Sequence, residues 1–181
     1  MKADETEAGG KNSSAATQMP DRVGETIFYL PSDLEVVMKR IFDAPRELVF
    51  KVYTDPQHIP NWWGPRSLTT RVDRMDVRPG GAWRYVQSGE DGTYGFHGEF
   101  LEVVPPEKLV YTFEFEGMPG HVVTETVTLE DLDGKTMVTV VSRFDTKEER
   151  DGMLSTGMES GARESWDRFE EVLQKVREGL S

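Results

Sequence analysis

The chain has 181 residues, no cysteine, and 33 acidic against 21 basic side chains, for a net charge of −12. That length suits one domain with a real core, and a composition of 36% hydrophobic and 30% charged residues suits a globular protein with a well-solvated surface. The charge repels phosphate backbones and anionic lipid surfaces, so nucleic-acid binding is not expected, and the missing thiols exclude disulfides, a cysteine nucleophile and a cysteine metal site.

Residues 1–23 include Gly9-Gly10, Ser13-Ser14 and Ala15-Ala16, with almost no large apolar side chain. Such a segment cannot bury enough surface to offset its ordering entropy, so a disordered leader is expected, followed by one domain over 24–178. No basic-then-apolar signal pattern opens the chain, and no apolar run approaches the roughly 20 residues that span a bilayer. A cytoplasmic location is the expectation.

Ile27, Phe28, Tyr29 and Leu30 form a short β-prone run stopped by Pro31-Ser32-Asp33. Over 34–42, Leu34, Val36, Met38 and Phe42 alternate with Glu35 and Lys39, which predicts a strand. The period then changes: Pro45 suits a first helical turn, and Leu48, Val49, Val52 and Tyr53 follow at 3.6-residue spacing. Asp55-Pro56 reads as an N-cap and first-turn proline, opening a second short helix that ends before Gly64-Pro65.

From 68 to 144 the signals are β and turn. Six runs, about 68–77, 82–88, 94–104, 108–115, 122–131 and 135–144, carry β-branched or aromatic residues at alternate places. Asp91-Gly92 and Asp133-Gly134 read as type I′ hairpin turns, and Pro79-Gly80 as a type II turn. Consecutive runs joined by tight turns imply an antiparallel meander. Last, Met158, Ala162, Ser165, Phe169, Leu173 and Val176 recur at steps of three and four, predicting an amphipathic helix of roughly 20 residues.

The expected fold is therefore α+β of the helix-grip type: a seven-stranded curved antiparallel sheet, two short helices, and one long C-terminal helix in the concave face. A sheet of that size curves, and a helix about 10 Å wide need not fill the gutter, so a pocket between them is expected.

The candidate lining is Trp63, Trp83, Tyr85, Tyr111, Phe113 and Glu125, with Met158, Ser165 and Phe169 from the long helix. Each aromatic residue reads equally as ordinary core. Of Trp62 and Trp63, one reads as plugging the sheet end and the other as capping the short helix; the functional reading, compatible with this, makes Trp63 a pocket wall. Glu125 shares its parity with Val123, Val127 and Leu129, which places a carboxylate on the inner face. There it orients a polar ligand group or acts as a base, unless it reaches water at a strand end or pairs with an arginine.

His97 and Glu99 share a face and read as a surface pair. The three histidines lack metal-ligand spacing, so no metal is expected. No phosphate loop or nucleophile motif occurs, and no cofactor is expected. Gly157, Met158, Gly161 and Ala162 read either as close helix–sheet packing or as a hinge, with a loop over 145–156 gating the cavity mouth.

An ordered set of short motifs adds to this reading. Leu30-Pro31-Ser32-Asp33 leads into Phe42-Asp43-Ala44-Pro45-Arg46-Glu47-Leu48-Val49-Phe50. Then come Thr54-Asp55-Pro56, Trp62-Trp63-Gly64-Pro65, Arg78-Pro79-Gly80-Gly81 with Trp83, and Val104-Pro105-Pro106-Glu107-Lys108-Leu109. The last helix carries Gly157-Met158-Glu159 and Glu164-Ser165-Trp166. Over about 26–176 the chain resembles bacterial proteins similar to the C-terminal domain of the activator of the heat-shock-protein-90 ATPase, in the START-like, birch-pollen-allergen-like superfamily.

The resemblance implies the helix-grip fold and a hydrophobic cavity. The function expected first is binding of a small hydrophobic or amphipathic ligand. The alternatives are a cyclase- or hydrolase-like enzyme using Glu125, His97 or a tyrosine, and a co-chaperone-like interaction module; a protein partner or a homodimer stays open.

Overall fold

The computed structural model describes residues 18–179. Its sheet has eight antiparallel strands in the order β1-β2-β8-β7-β6-β5-β4-β3. The strands are β1 (Thr26–Ser32), β2 (Glu35–Phe42), β3 (Thr69–Met75), β4 (Ala82–Gly89), β5 (Gly92–Val104), β6 (Lys108–Phe115), β7 (Val122–Leu132) and β8 (Lys135–Arg143). The six-run meander stands as expected, and β2 closes it by pairing with β8 rather than with its sequence neighbour β3.

The eighth strand is the run at 27–30, which extends through Pro31 to Ser32 and pairs with β2. Proline is tolerated there because β1 is an edge strand and the register slips between Tyr29 and Ser32, so no ladder donor is lost. Residues 1–17 of the expected leader lie outside the described residues. Residues 18–23 run beside β2, where Val23 bridges Ile41 and the Gln18 carbonyl accepts from Lys39 Nζ at 3.2 Å.

Two bulges curve the sheet. Between Phe100 and Glu102 of β5 the register against β6 slips by one residue, as it does between Val72 and Arg74 of β3. An extra residue reverses the in–out alternation. Phe100 and Val103 therefore both contribute to the core although three apart, while Leu101 is exposed.

Gly98 permits a second distortion. A Cβ there would lie 1.8 Å from the Thr112 carbonyl oxygen, and its absence lets Trp83 Nε1 reach across the strand to donate to that oxygen at 3.0 Å. Asp133 and Gly134 have φ of 55° and 88° and form the expected left-handed turn. At the other hairpin, Gly89 pairs with Gly92, so Glu90 and Asp91 make the turn and Gly92 already opens β5.

The helices are α1 (Arg46–Thr54), α2 (Ile59–Trp62), α3 (Lys147–Ser155) and α4 (Met158–Arg177). Asp55 does not cap α2; its Oδ1 accepts from Gln57 N at 2.9 Å in a local turn, and the helix begins at Ile59. The expected loop over 145–156 is largely the helix α3, whose N-cap Thr146 accepts from Glu149 N at 3.1 Å.

α4 buries Trp166, Phe169, Val172 and Leu173 against the concave face. Phe42 meets Trp166 and Phe169 edge to face, at 5.5 and 5.2 Å between ring centroids. Arg40 occupies the inner position between Met38 and Phe42. Its buried guanidinium is held by Asp167 at 2.7 Å and Thr26 Oγ1 at 2.6 Å, which fixes α4 on the sheet.

Candidate functional site

Strand register builds the polar part of the site. Across the inner face, Phe100 pairs with Tyr111, Tyr111 with Glu125, Glu125 with Ser142, and Ser142 with Val36. Three polar side chains thus stand side by side on adjacent strands within an apolar row. Ser142 Oγ donates to Glu125 Oε2 at 2.7 Å, and Oε1 accepts no hydrogen bond among the described residues.

Burial pushes the Glu125 carboxyl up to about 7, and the Ser142 hydrogen bond opposes the shift. The Tyr53 hydroxyl on α1 is pushed well above its ordinary value, first by burial and then by the charge of Glu125. Tyr111 is raised by burial, then by Tyr53 and Glu125. Both phenols therefore stay neutral across the physiological range. Glu125 sits neither at a watery strand end nor beside an arginine; the inward placement expected from its parity is the one found.

These groups border a cleft of about 250 Å³ between the sheet and the first two turns of α4. Met158, Gly161, Ala162 and Ser165 form its roof, at steps of three and four along the helix; Phe113, Glu125, Val140 and Ser142 form its floor. Glu125 is the one charged residue in the lining. A Cβ added to Gly161 would meet nothing within 4 Å. Close packing therefore does not explain this glycine; it leaves room at the cavity roof.

The Trp63-Gly64-Pro65 segment forms one wall and is clamped to α4. Ser165 Oγ donates to the Trp62 carbonyl at 2.9 Å and accepts from Gly64 N at 3.2 Å, while Arg168 donates to the Gly64 carbonyl at 2.8 Å. Ser165 lines the cavity with a hydroxyl already engaged in the fold. Trp63 stands edge-on to Tyr85 and Phe96, both at 5.1 Å. Its neighbour Trp62 is core, 3% exposed, with Nε1 donating to the Val52 carbonyl.

Two further spaces adjoin the cleft. Trp83 and Tyr85 border a void of about 30 Å³ rather than the cleft itself. An apolar groove of about 580 Å³ lies between α3 and the open end of the sheet, lined by Phe96, Phe115, Val123, Phe144 and Met153 among others. Phe113 borders all three spaces. α3 is held by Arg150 on the Ser32 carbonyl and, at the groove, by the His121–Glu149 contact at 2.8 Å.

Of the expected lining, Trp63, Tyr111, Phe113, Glu125, Met158 and Ser165 come together at the cleft. Phe169 does not: it is wholly buried core, packed edge-on to Trp62 at 4.8 Å, because Tyr53 of α1, Trp62 of α2 and Phe42 of β2 close around its ring. His97 is on the convex face and pairs with Glu116 at 2.9 Å rather than with Glu99. Arg84 and then His97 hold the Glu116 carboxyl down at about 2. No cluster of three or more potential metal-ligating side chains occurs among the described residues, and no helix there is long and apolar enough to cross a membrane.

Sequence reasoning missed Tyr53, Ser142 and Phe28 as lining residues. Ser142 had a signal, since it continues the Val138–Val140 alternation. The α3 wall had one too, in the Thr146-x-x-Glu149 helix-start pattern.

Known structures share this architecture. A crystal structure of a protein from Mycobacterium smegmatis matches with a TM-score of 0.73 at 27% identity, covering 82% of this chain and 95% of that one. A solution structure of a protein from Arthrobacter aurescens matches with a TM-score of 0.77 at 27% identity, covering 85% and 93%. A Rhodobacter sphaeroides protein, at 22% identity and a TM-score of 0.77, covers 84% of this chain and 99% of that one and shares the fold. Comparison with curated proteins returns no match. The family model described as activator of Hsp90 ATPase homolog 1-like protein matches residues 43–174, and with well over half of its length matched, this chain belongs to that family.

Proposed function

We propose that this protein binds a small apolar or amphipathic molecule in the cleft between the sheet and α4. The observation that carries this reading is the cleft of about 250 Å³, lined by apolar and aromatic side chains around a single carboxyl. An apolar protein cavity of roughly 150 Å³ accommodates benzene, so the cleft has room for a body of one or two rings. Few, convergent polar groups in an apolar wall are what orient a ligand. The family's fold, which commonly binds hydrophobic ligands, supports the same reading. The adjoining groove past Phe113 gives a longer ligand somewhere to extend.

Native mass spectrometry of the purified protein, followed by a thermal-shift screen of apolar metabolites, tests the proposal. A ligand that raises Tm in proportion to the logarithm of its concentration supports it. Gly161→Leu, which projects a side chain into the cleft, should abolish that rise. No bound species, and an unchanged Tm across the set, would refute it.

Glu125 favours a second reading. A carboxyl near neutrality, beside a hydroxyl and two phenols, meets the requirements of a general acid–base group. On this reading it removes a proton from bound substrate and returns it to product. Turnover of a substrate found by the screen should then be lost in Glu125→Gln; retained turnover would discard this reading.

A further inference from the structure

Resting on the binding proposal above, we infer that the cleft selects a hydrophobic amine in its protonated form, seated with its ammonium on Glu125. The first argument is charge. Among the described residues Glu125 is the one charged residue in the lining, which contains no lysine, arginine or histidine. Among the described residues its one hydrogen-bond partner is the Ser142 hydroxyl, which takes Oε2 and leaves Oε1 for a ligand. A half-buried carboxylate in an apolar wall without a counter-ion is costly, and a bound cation reduces that cost.

The second argument is geometry. An ammonium carries several N–H donors arranged around one atom. Glu125 lies directly across the strand pair from Tyr111, and Tyr53 borders the same cleft. An ammonium on Oε1 thus shares the cleft with two phenols able to accept from its remaining N–H groups. A neutral alcohol has one donor and leaves the charge uncompensated.

The third argument is the wall. Trp63, Phe113 and Trp166 present aromatic surface to the cleft, and such rings attract cations. The same features reject anions: a carboxylic acid would bring a second negative charge beside Glu125, within a chain of net charge −12. The cleft thus discriminates by sign of charge as well as by size.

Calorimetric titration at pH 8 with three probes of one shape tests the inference: 2-naphthylmethylamine, 2-naphthalenemethanol and 2-naphthoic acid. A charge-assisted hydrogen bond corresponds to a preference on the order of tenfold or more. The amine should bind about tenfold tighter than the alcohol, and the acid most weakly. Glu125→Gln, its fold checked by circular dichroism, should lose the amine preference while holding the alcohol within about threefold.

Equal binding of amine and alcohol to the wild type overturns the amine inference and leaves the binding proposal intact. An amine preference that survives Glu125→Gln also overturns it, placing the amine on the acidic surface instead. Failure of all three probes to bind refutes both.

Discussion

Replacing Glu125 by Gln should stabilise the ligand-free protein at alkaline pH and change it little under mild acid. The carboxyl titrates at about 7 in the fold against an ordinary 4.5, because burial penalises its charged form. Between those values the folded chain holds a proton that the unfolded chain has released, so stability falls as pH rises through that window. The loss is complete above about pH 7. At about 1.4 kcal/mol per pKa unit, the difference between pH 5 and pH 8 is at most about 2.5 kcal/mol, with water in the cleft reducing it. Glutamine removes the titration and keeps an acceptor for Ser142 Oγ. Urea unfolding of both proteins at pH 5 and pH 8, followed by tryptophan fluorescence, measures the effect. The stability gap between variant and wild type should widen by about 1–2.5 kcal/mol at the higher pH. A gap that is the same at both pH values would refute the claim that the apolar cleft desolvates Glu125 without a counter-ion.

Three further outcomes follow from the geometry. Gly161→Ala should raise stability by up to about 1 kcal/mol through helix propensity, since its Cβ meets open space; chemical denaturation measures this. Asp167→Asn should cost about 2 kcal/mol in the same assay by weakening the contact that holds buried Arg40. Gly98→Ala should lower stability by about 3 kcal/mol or more, because the added Cβ collides with the Thr112 carbonyl and displaces the Trp83 indole. The loss should appear as a lower melting temperature and a changed near-ultraviolet dichroism spectrum.

A strict period makes legible which face a side chain takes, and not whether that face borders a cavity or core. Glu125 was assigned inward by its two-residue spacing from Val123 and Val127, and the structure places it there. Met158 and Ser165 were assigned to the cavity by helical spacing and line it. Phe169 satisfies the same spacing and does not, because Tyr53 of α1 and Trp62 of α2 pack onto its ring and fill the space beneath it. Periodicity reports which side of a helix is covered, and not what covers it at each turn. Likewise Phe100 and Val103 break the strand period at a bulge, and nothing in their residue types announces the extra residue.

The sequence by itself determined β2, the two short helices after it, the meander from β3 to β8 and the apolar stripe of α4. These rest on interactions between near neighbours: alternation, turn residues and helical spacing. Only the tertiary structure decided that β1 joins the sheet, that α3 walls a second groove, and that Tyr53, Tyr111, Glu125 and Ser142 line one cleft. Those outcomes depend on register between strands and on how the helices pack against one another and the sheet. Both are set by contacts between residues far apart in the chain, and a local pattern carries no record of them.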